Sequence, residues 1–276
     1  MAALASQQDL ADWARAQGPQ GSDLALFLHV AEDTGLERLG RAYDRFMSYG
    51  SYPVAGEYLF EPGVYAADGV AAVPDERITE DLASSWMSGT AEPLHPYEGV
   101  TLPDADRDTA YSWCKAPRLE GQPVEVGALA RQVVAGHPLI RDLVAGTGGN
   151  VRNRVVARLL ELARVVPAME AWARALVPGE PFYADPGSLS EGQGAGLVEA
   201  ARGSLGHWIR VHQGRILNYQ IVAPTTWNFS PRDRDGVPGP LERALEGTPV
   251  GEGERTPVAV QHVVRSFDPC MVCTVH

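Results

Sequence analysis

Two thiols and an imidazole close this chain, in Asp268-Pro269-Cys270-Met271-Val272-Cys273-Thr274-Val275-His276. A Cys-x-x-Cys pair brings two sulfurs to one centre when the backbone turns between them. Thiolates select soft or borderline metals such as nickel, zinc and iron. His276, three residues after Cys273, offers a nitrogen ligand or a nearby anchor. Asp268 stands before Pro269, and the proline ring biases the residue ahead of it toward an extended backbone. Two thiolates are too few for a closed structural zinc site, which takes four ligands, so a metal here needs donors from elsewhere. Two other readings use the same residues: a dithiol redox pair, which normally opens a helix after a strand, and incidental thiols on a frayed end.

The elements around these residues must be read from periodicity and punctuation. The chain has 276 residues, 45% of them hydrophobic, enough to bury a core. Its net charge of −12 argues against a nucleic-acid or anionic-membrane partner. No run of about 18 apolar residues occurs, so no spanning helix is expected. Met1-Ala2-Ala3-Leu4 shows no basic region ahead of an apolar one, so no secretory leader is visible. Three cysteines cannot build a disulfide framework, and the expected address is cytoplasmic. Helical spacing runs through the first 50 residues, with Gly50 as a stop. Residues 51–75 read as short strands and turns, and 77–90 as helix. The Pro- and Gly-rich stretch 92–127 reads as loop, with an ordered loop entering a helix over 110–131. The strongest periodicity lies over 151–176, with a kink expected at Pro167. Residues 191–233 read as a hairpin about Gln213-Gly214. The tail reads as loop, a short helix near Leu241, then an extended run into the cysteine motif. No linker divides the chain, so one domain over 1–276 is expected, with a helical and short-strand part over 1–109.

Four stretches together carry a family resemblance. The closing motif resembles Asp-Pro-Cys-x-x-Cys-x-x-His at the end of the large subunit of nickel-iron hydrogenases. "SWCKAPRLEGQPVEVGALAR", "GAGLVEAARGSLGHW" and "NYQIVAPTTWNFSPRDRDGVPGPLERAL" resemble three further segments of that family, in family order, over residues 110–276. The resemblance implies an α+β fold, predominantly α-helical. It implies Cys270 as a terminal nickel ligand and Cys273 as a bridge between nickel and an iron that carries cyanide and carbon monoxide. Arg202 matches the arginine set over the metals, where a guanidinium can present paired donors to a cyanide or to substrate. Thr225 matches a hydroxyl that hydrogen-bonds cyanide, and Asp268 an acidic neighbour of Arg202. His276 and the carbonyl of Ile221 match ligands of a magnesium ion. The implied reaction is heterolytic splitting of H2 to hydride and proton, with Cys270 as base. Electrons would leave through an iron-sulfur small subunit, for which this chain has no spare cysteines.

The sequence also departs from the family. That family has four cysteine ligands, two of them from an Arg-x-Cys-Gly-x-Cys motif that does not occur here. Cys114 is no substitute and reads as a buried small hydrophobe. The expectation is a chain inactive alone, completed by an N-terminal large-subunit chain or cut from a longer frame; the alternative is a non-catalytic assembly or scaffold protein. A plain zinc-binding domain is a third reading. Ala201 in "EAARG" and the closing "MVCTVH" resemble the hydrogen-sensing branch; an uptake enzyme is the other option.

Overall fold

A computed structural model describes residues 3–54, 56–185 and 187–274. Helices α1 (Gln7–Gln17) and α2 (Asp23–Thr34) open the chain. Ser6 caps α1 through a reciprocal box with Asp9, and Ser22 accepts from the Ala25 N–H at the start of α2. Gly35, left-handed at φ 67°, ends α2. Short strands follow: β1 (Phe46–Ser48), β2 (Ser51–Val54), β3 (Glu57–Phe60), β4 (Gly63–Ala66), β5 (Gly69–Ala71), β6 (Ile78–Asp81), β7 (Met87–Ser88), β8 (Leu102–Pro103) and β9 (Ala116–Leu119). They pair antiparallel as β1-β4-β5, β2-β3, β6-β9 and β7-β8. Then come α3 (Ala128–Val134), α4 (Pro138–Thr147) and α5 (Val151–Ala175), and an antiparallel sheet of β10 (Gly192–Ala200), β11 (Gly203–His212) and β12 (Arg215–Val222). Helices α6 (Pro224–Asn228), α7 (Pro240–Leu245), α8 (Val258–Ser266) and α9 (Met271–Thr274) complete the order.

Helix outweighs strand, in keeping with the expected α+β class. Among the described residues, three apolar clusters hold the elements. One joins Leu10, Leu28, Phe46, Val133, Leu143, Val156 and Leu160 across α1 to α5. A second sets Trp208 and Val222 of the last sheet on Ile78, Leu119, Val126 and Trp227. The third packs Ala31, Val151, Leu241, Ala244, Val263 and Phe267, so α8 is anchored just before the cysteine motif. Asn150 caps α5, and its first ten residues are largely buried; farther along, Leu162, Val166 and Met169 are exposed. Pro167 lies inside α5, and the helix continues past it to Ala175.

Several expectations change. The first helical run stops at Gly35, not Gly50. Residues 77–90 hold the short strands β6 and β7 and the turns between them rather than a helix, because Glu80 and Asp81 are buried at β6 and pair with Pro117 and Ala116 of β9. The extended run before the motif is the helix α8: its β-branched valines present Val263 to the third cluster, and burial overrides strand propensity. The hairpin at Gln213-Gly214 is present, both residues at positive φ (51° and 71°) as a primed two-residue turn demands. It gains a third strand, β10, joined to β11 by Ala201 and Arg202 alone. Among the described residues, no helix is long and apolar enough to cross a membrane.

Candidate metal centre

Helix α8 delivers the cysteine motif. Phe267 is buried against Phe229, with the Arg154 guanidinium 3.7 Å over its ring. Arg158, one turn along α5, donates to the Ser266 carbonyl at 3.0 Å. Asp268 follows at φ 52°, its N–H bonded to the Arg265 carbonyl at 3.0 Å. The expected extended approach through Asp268 is therefore corrected: a left-handed residue closes α8 and folds the chain back.

The turn it starts is pinned at two points. The Cys270 N–H donates to the Thr225 hydroxyl at 3.2 Å, and the Cys273 N–H donates to the Cys270 carbonyl at 3.0 Å. Thr225 is buried in the first turn of α6, where Pro224 takes the N1 position. The two thiols hydrogen-bond to each other. The backbone N–H of Cys273, then its thiol, hold the Cys270 thiol below its ordinary value, and Arg202 adds to this electrostatically. Burial, then the Cys270 side chain, push Cys273 up to about 11. The pair is thus asymmetric: Cys270 is the readier thiolate and Cys273 the proton donor to it.

Arg202 enters from the β10–β11 turn. Its Nε lies 3.7 Å from Asp268 Oδ1, while Arg158 Nε lies 3.7 Å from Oδ2 of the same carboxylate. Cys270, Cys273, Thr225, Arg202 and Asp268 therefore meet, from three segments of chain. Ile221 stands in β12 opposite His207 with its side chain half exposed, and among the described residues no hydrogen bond links it to these groups. His276 lies outside the described residues.

Sequence reasoning missed several supports. The Cys114 thiol is buried, as expected, but also points at the Cys273 carbonyl, sulfur to oxygen 3.9 Å. Arg154 makes a bidentate pair with Glu125 at 2.7 and 2.8 Å and reaches the Gly40 and Gly149 carbonyls. Arg154, Arg158 and Glu161 fall at helical spacing on α5, which is the signal that they share a face.

The donor set suits half of a metal centre. Two adjoining sulfurs fit a soft or borderline metal. No group of three or more His, Cys, Asp or Glu side chains placed to hold an ion occurs among the described residues. A metal at Cys270 and Cys273 thus requires further ligands.

A family model described as nickel-dependent hydrogenase matches residues 22–276. The chain is 33% identical to the periplasmic [NiFeSe] hydrogenase large subunit of Desulfomicrobium baculatum, over 88% of this chain and 51% of that protein. It is 32% identical to the hydrogenase-2 large chain of Escherichia coli K12, over 82% of this chain and 46% of that one. The solved structure of the Ni-Fe-Se hydrogenase from D. vulgaris Hildenborough in the reduced state superposes with a TM-score of 0.81 at 31% identity, covering 98% of this chain and 62% of the other. The chain spans about half the length of the curated relatives it matches.

Proposed function

We propose a function from one established premise: this chain belongs to the nickel-dependent hydrogenase family. In this reading it forms part of a hydrogenase large subunit and contributes Cys270 and Cys273 as two thiolate ligands of a nickel-iron centre. The remaining ligands come from sequence outside these 276 residues, and the assembly splits or senses H2. An iron-sulfur small subunit carries the electrons. When bound, the centre supplies a Lewis-acidic, redox-active metal pair that polarises H2.

The chain's own residues have separable tasks. Cys270 Sγ, favoured as thiolate by the Cys273 N–H, takes the proton released on cleavage. Arg202 brings a permanent positive charge to the sulfurs, and Asp268 limits where that charge can swing. Thr225 fixes the Cys270 backbone, so the sulfur's approach is set before any metal arrives. Cyanide and carbon monoxide on the iron, and a magnesium ion held by His276 and the Ile221 carbonyl, go with this reading, as does a cytoplasmic location. Ala201 in the Arg202 turn favours the sensing branch over uptake.

The observation that carries the reading is the meeting of the Cys270–Cys273 pair with Arg202, Asp268 and Thr225. The test is H2-dependent dye reduction and H2/D2 exchange by the sequence in a complete large subunit with its small subunit. Exchange that disappears in Cys270→Ser supports the reading. Exchange that persists at the wild-type rate in that variant refutes it, and an assembly role is the outcome if metal is bound but neither activity occurs.

A further inference from the structure

Arg202 is the second residue of a two-residue hairpin loop, and its side chain is 42% exposed. Among the described residues its ion pair is the 3.7 Å approach to Asp268, a carboxylate it shares with Arg158. Such a pair holds a long side chain weakly. The backbone that carries Arg202 is held far more firmly, by a residue of α3.

That residue is Arg131, on α3, with its side chain only 3% exposed. Its Nη1 donates to the Ala200 carbonyl at 3.0 Å and its Nη2 to the Ala201 carbonyl at 2.9 Å, the two peptide oxygens directly ahead of Arg202. The same fork donates to Glu199 at 2.8 Å and, through Nε and Nη2, to Glu161 at 3.1 and 3.0 Å. Every N–H of the guanidinium has an acceptor. Glu199 is fixed in turn by the Tyr49 N–H at 2.9 Å and the Ser204 hydroxyl at 2.5 Å. On the far side of the loop, Gly203 at φ 133° lies so near Gly127 that a Cβ there would stand 2.7 Å from the Gly127 nitrogen. Gly127 is the N-cap of the helix that bears Arg131. The loop is clamped between the start of α3 and the fork one turn into it.

We propose that Arg131 is a positioning residue: by gripping the Ala200 and Ala201 carbonyls it sets the Arg202 guanidinium beside the Cys270 and Cys273 thiols. The proposal rests on the reading above, in which Arg202 acts at those sulfurs. Lysine cannot replace Arg131 in this role, because an ammonium has three donors on one nitrogen and cannot span two carboxylates and two carbonyls.

The test needs no metal, so its failure is distinguishable from failure of the metal reading. In the metal-free chain, Cys270 is alkylated with iodoacetate and with iodoacetamide at one pH, and the rates are read by peptide mass spectrometry. Both reagents attack the same thiolate, so the ionised fraction cancels from their ratio. The ratio reports the local positive charge. Arg202→Met lowers it by roughly threefold. Arg131→Lys conserves charge and leaves Arg202 intact, and the ratio falls most of the way to the Arg202→Met value. A folded Arg131→Lys protein with the wild-type ratio overturns the proposal, whatever its loss in melting temperature. Where Arg131→Lys does not fold, Glu161→Gln serves: deleting an anion raises the ratio by charge alone, whereas a loosened clamp lowers it. A fall supports the proposal, and a rise or no change overturns it.

Discussion

The backbone N–H of Cys270 donates to the hydroxyl of Thr225 at 3.2 Å, tying the cysteine turn to the first turn of α6 across 45 residues of sequence. Thr225 is buried at 3% exposure, so its hydroxyl has little competition from water. Thr225→Val keeps the shape and removes the acceptor. The expected loss is about 1 kcal/mol, read as a lower midpoint in denaturant unfolding, with Thr225→Ser close to wild type. Equal midpoints for Val and wild type would show that this bond does not hold the turn.

Cys273 gives the metal-free chain a specific pH dependence. Its folded value of about 11 lies above the roughly 8.5 of a free thiol in an unfolded chain. The protonated thiol is favoured in the folded state, so its contribution is complete below the unfolded value and is lost as pH rises toward 11. Stability measured between pH 8 and 11 should fall more steeply in wild type than in Cys273→Ser. Parallel curves would contradict the assignment. By the same asymmetry, alkylation near pH 8 should modify Cys270 before Cys273.

The Arg154–Glu125 pair is buried on both sides, each side chain at 3% exposure. Arg154→Met leaves Glu125 charged and uncompensated, at a cost of about 3–5 kcal/mol. Arg154→Met with Glu125→Gln should recover part of that loss. Arg154 also lies over Phe267, so the single variant should loosen the start of the cysteine turn and speed alkylation of Cys270. Unchanged alkylation alongside reduced stability would confine Arg154 to the core.

Gly203 has no room for a side chain and sits at φ 133°. Gly203→Ala should lower stability by more than about 1 kcal/mol, with the shift in a crystal structure concentrated in the Ala201–Arg202 loop. An unshifted loop would show that the contact with Gly127 is not what places it.

How far the sequence could be read depends on how local the physics was. The Gln213-Gly214 hairpin was legible, because residues suited to positive φ stand between two β-type runs. Helix α5 was legible from its period. Strand β6 was not, because Glu80 looks like a helix-surface residue until Lys115, 35 residues away, meets it at 3.2 Å in the interior. Helix α8 was hidden by its valines, whose helical state is decided by the packing of Val263 on α5 and α7. In the site, Cys270, Cys273, Arg202, Thr225 and Asp268 were read from motifs. Arg131, Arg158 and Glu161 were not, since their role is set by which distant carbonyls and carboxylates they reach.

The central claim is that Cys270 and Cys273 are two thiolate ligands of a nickel-iron centre. Nickel and iron content, measured on the sequence matured in a complete large subunit, tests it most directly. The account predicts nickel and iron in equal amounts in the wild-type protein, and loss of nickel in both Cys270→Ser and Cys273→Ser with the fold retained. Zinc in place of nickel and iron, or full nickel occupancy in the double variant, would contradict it.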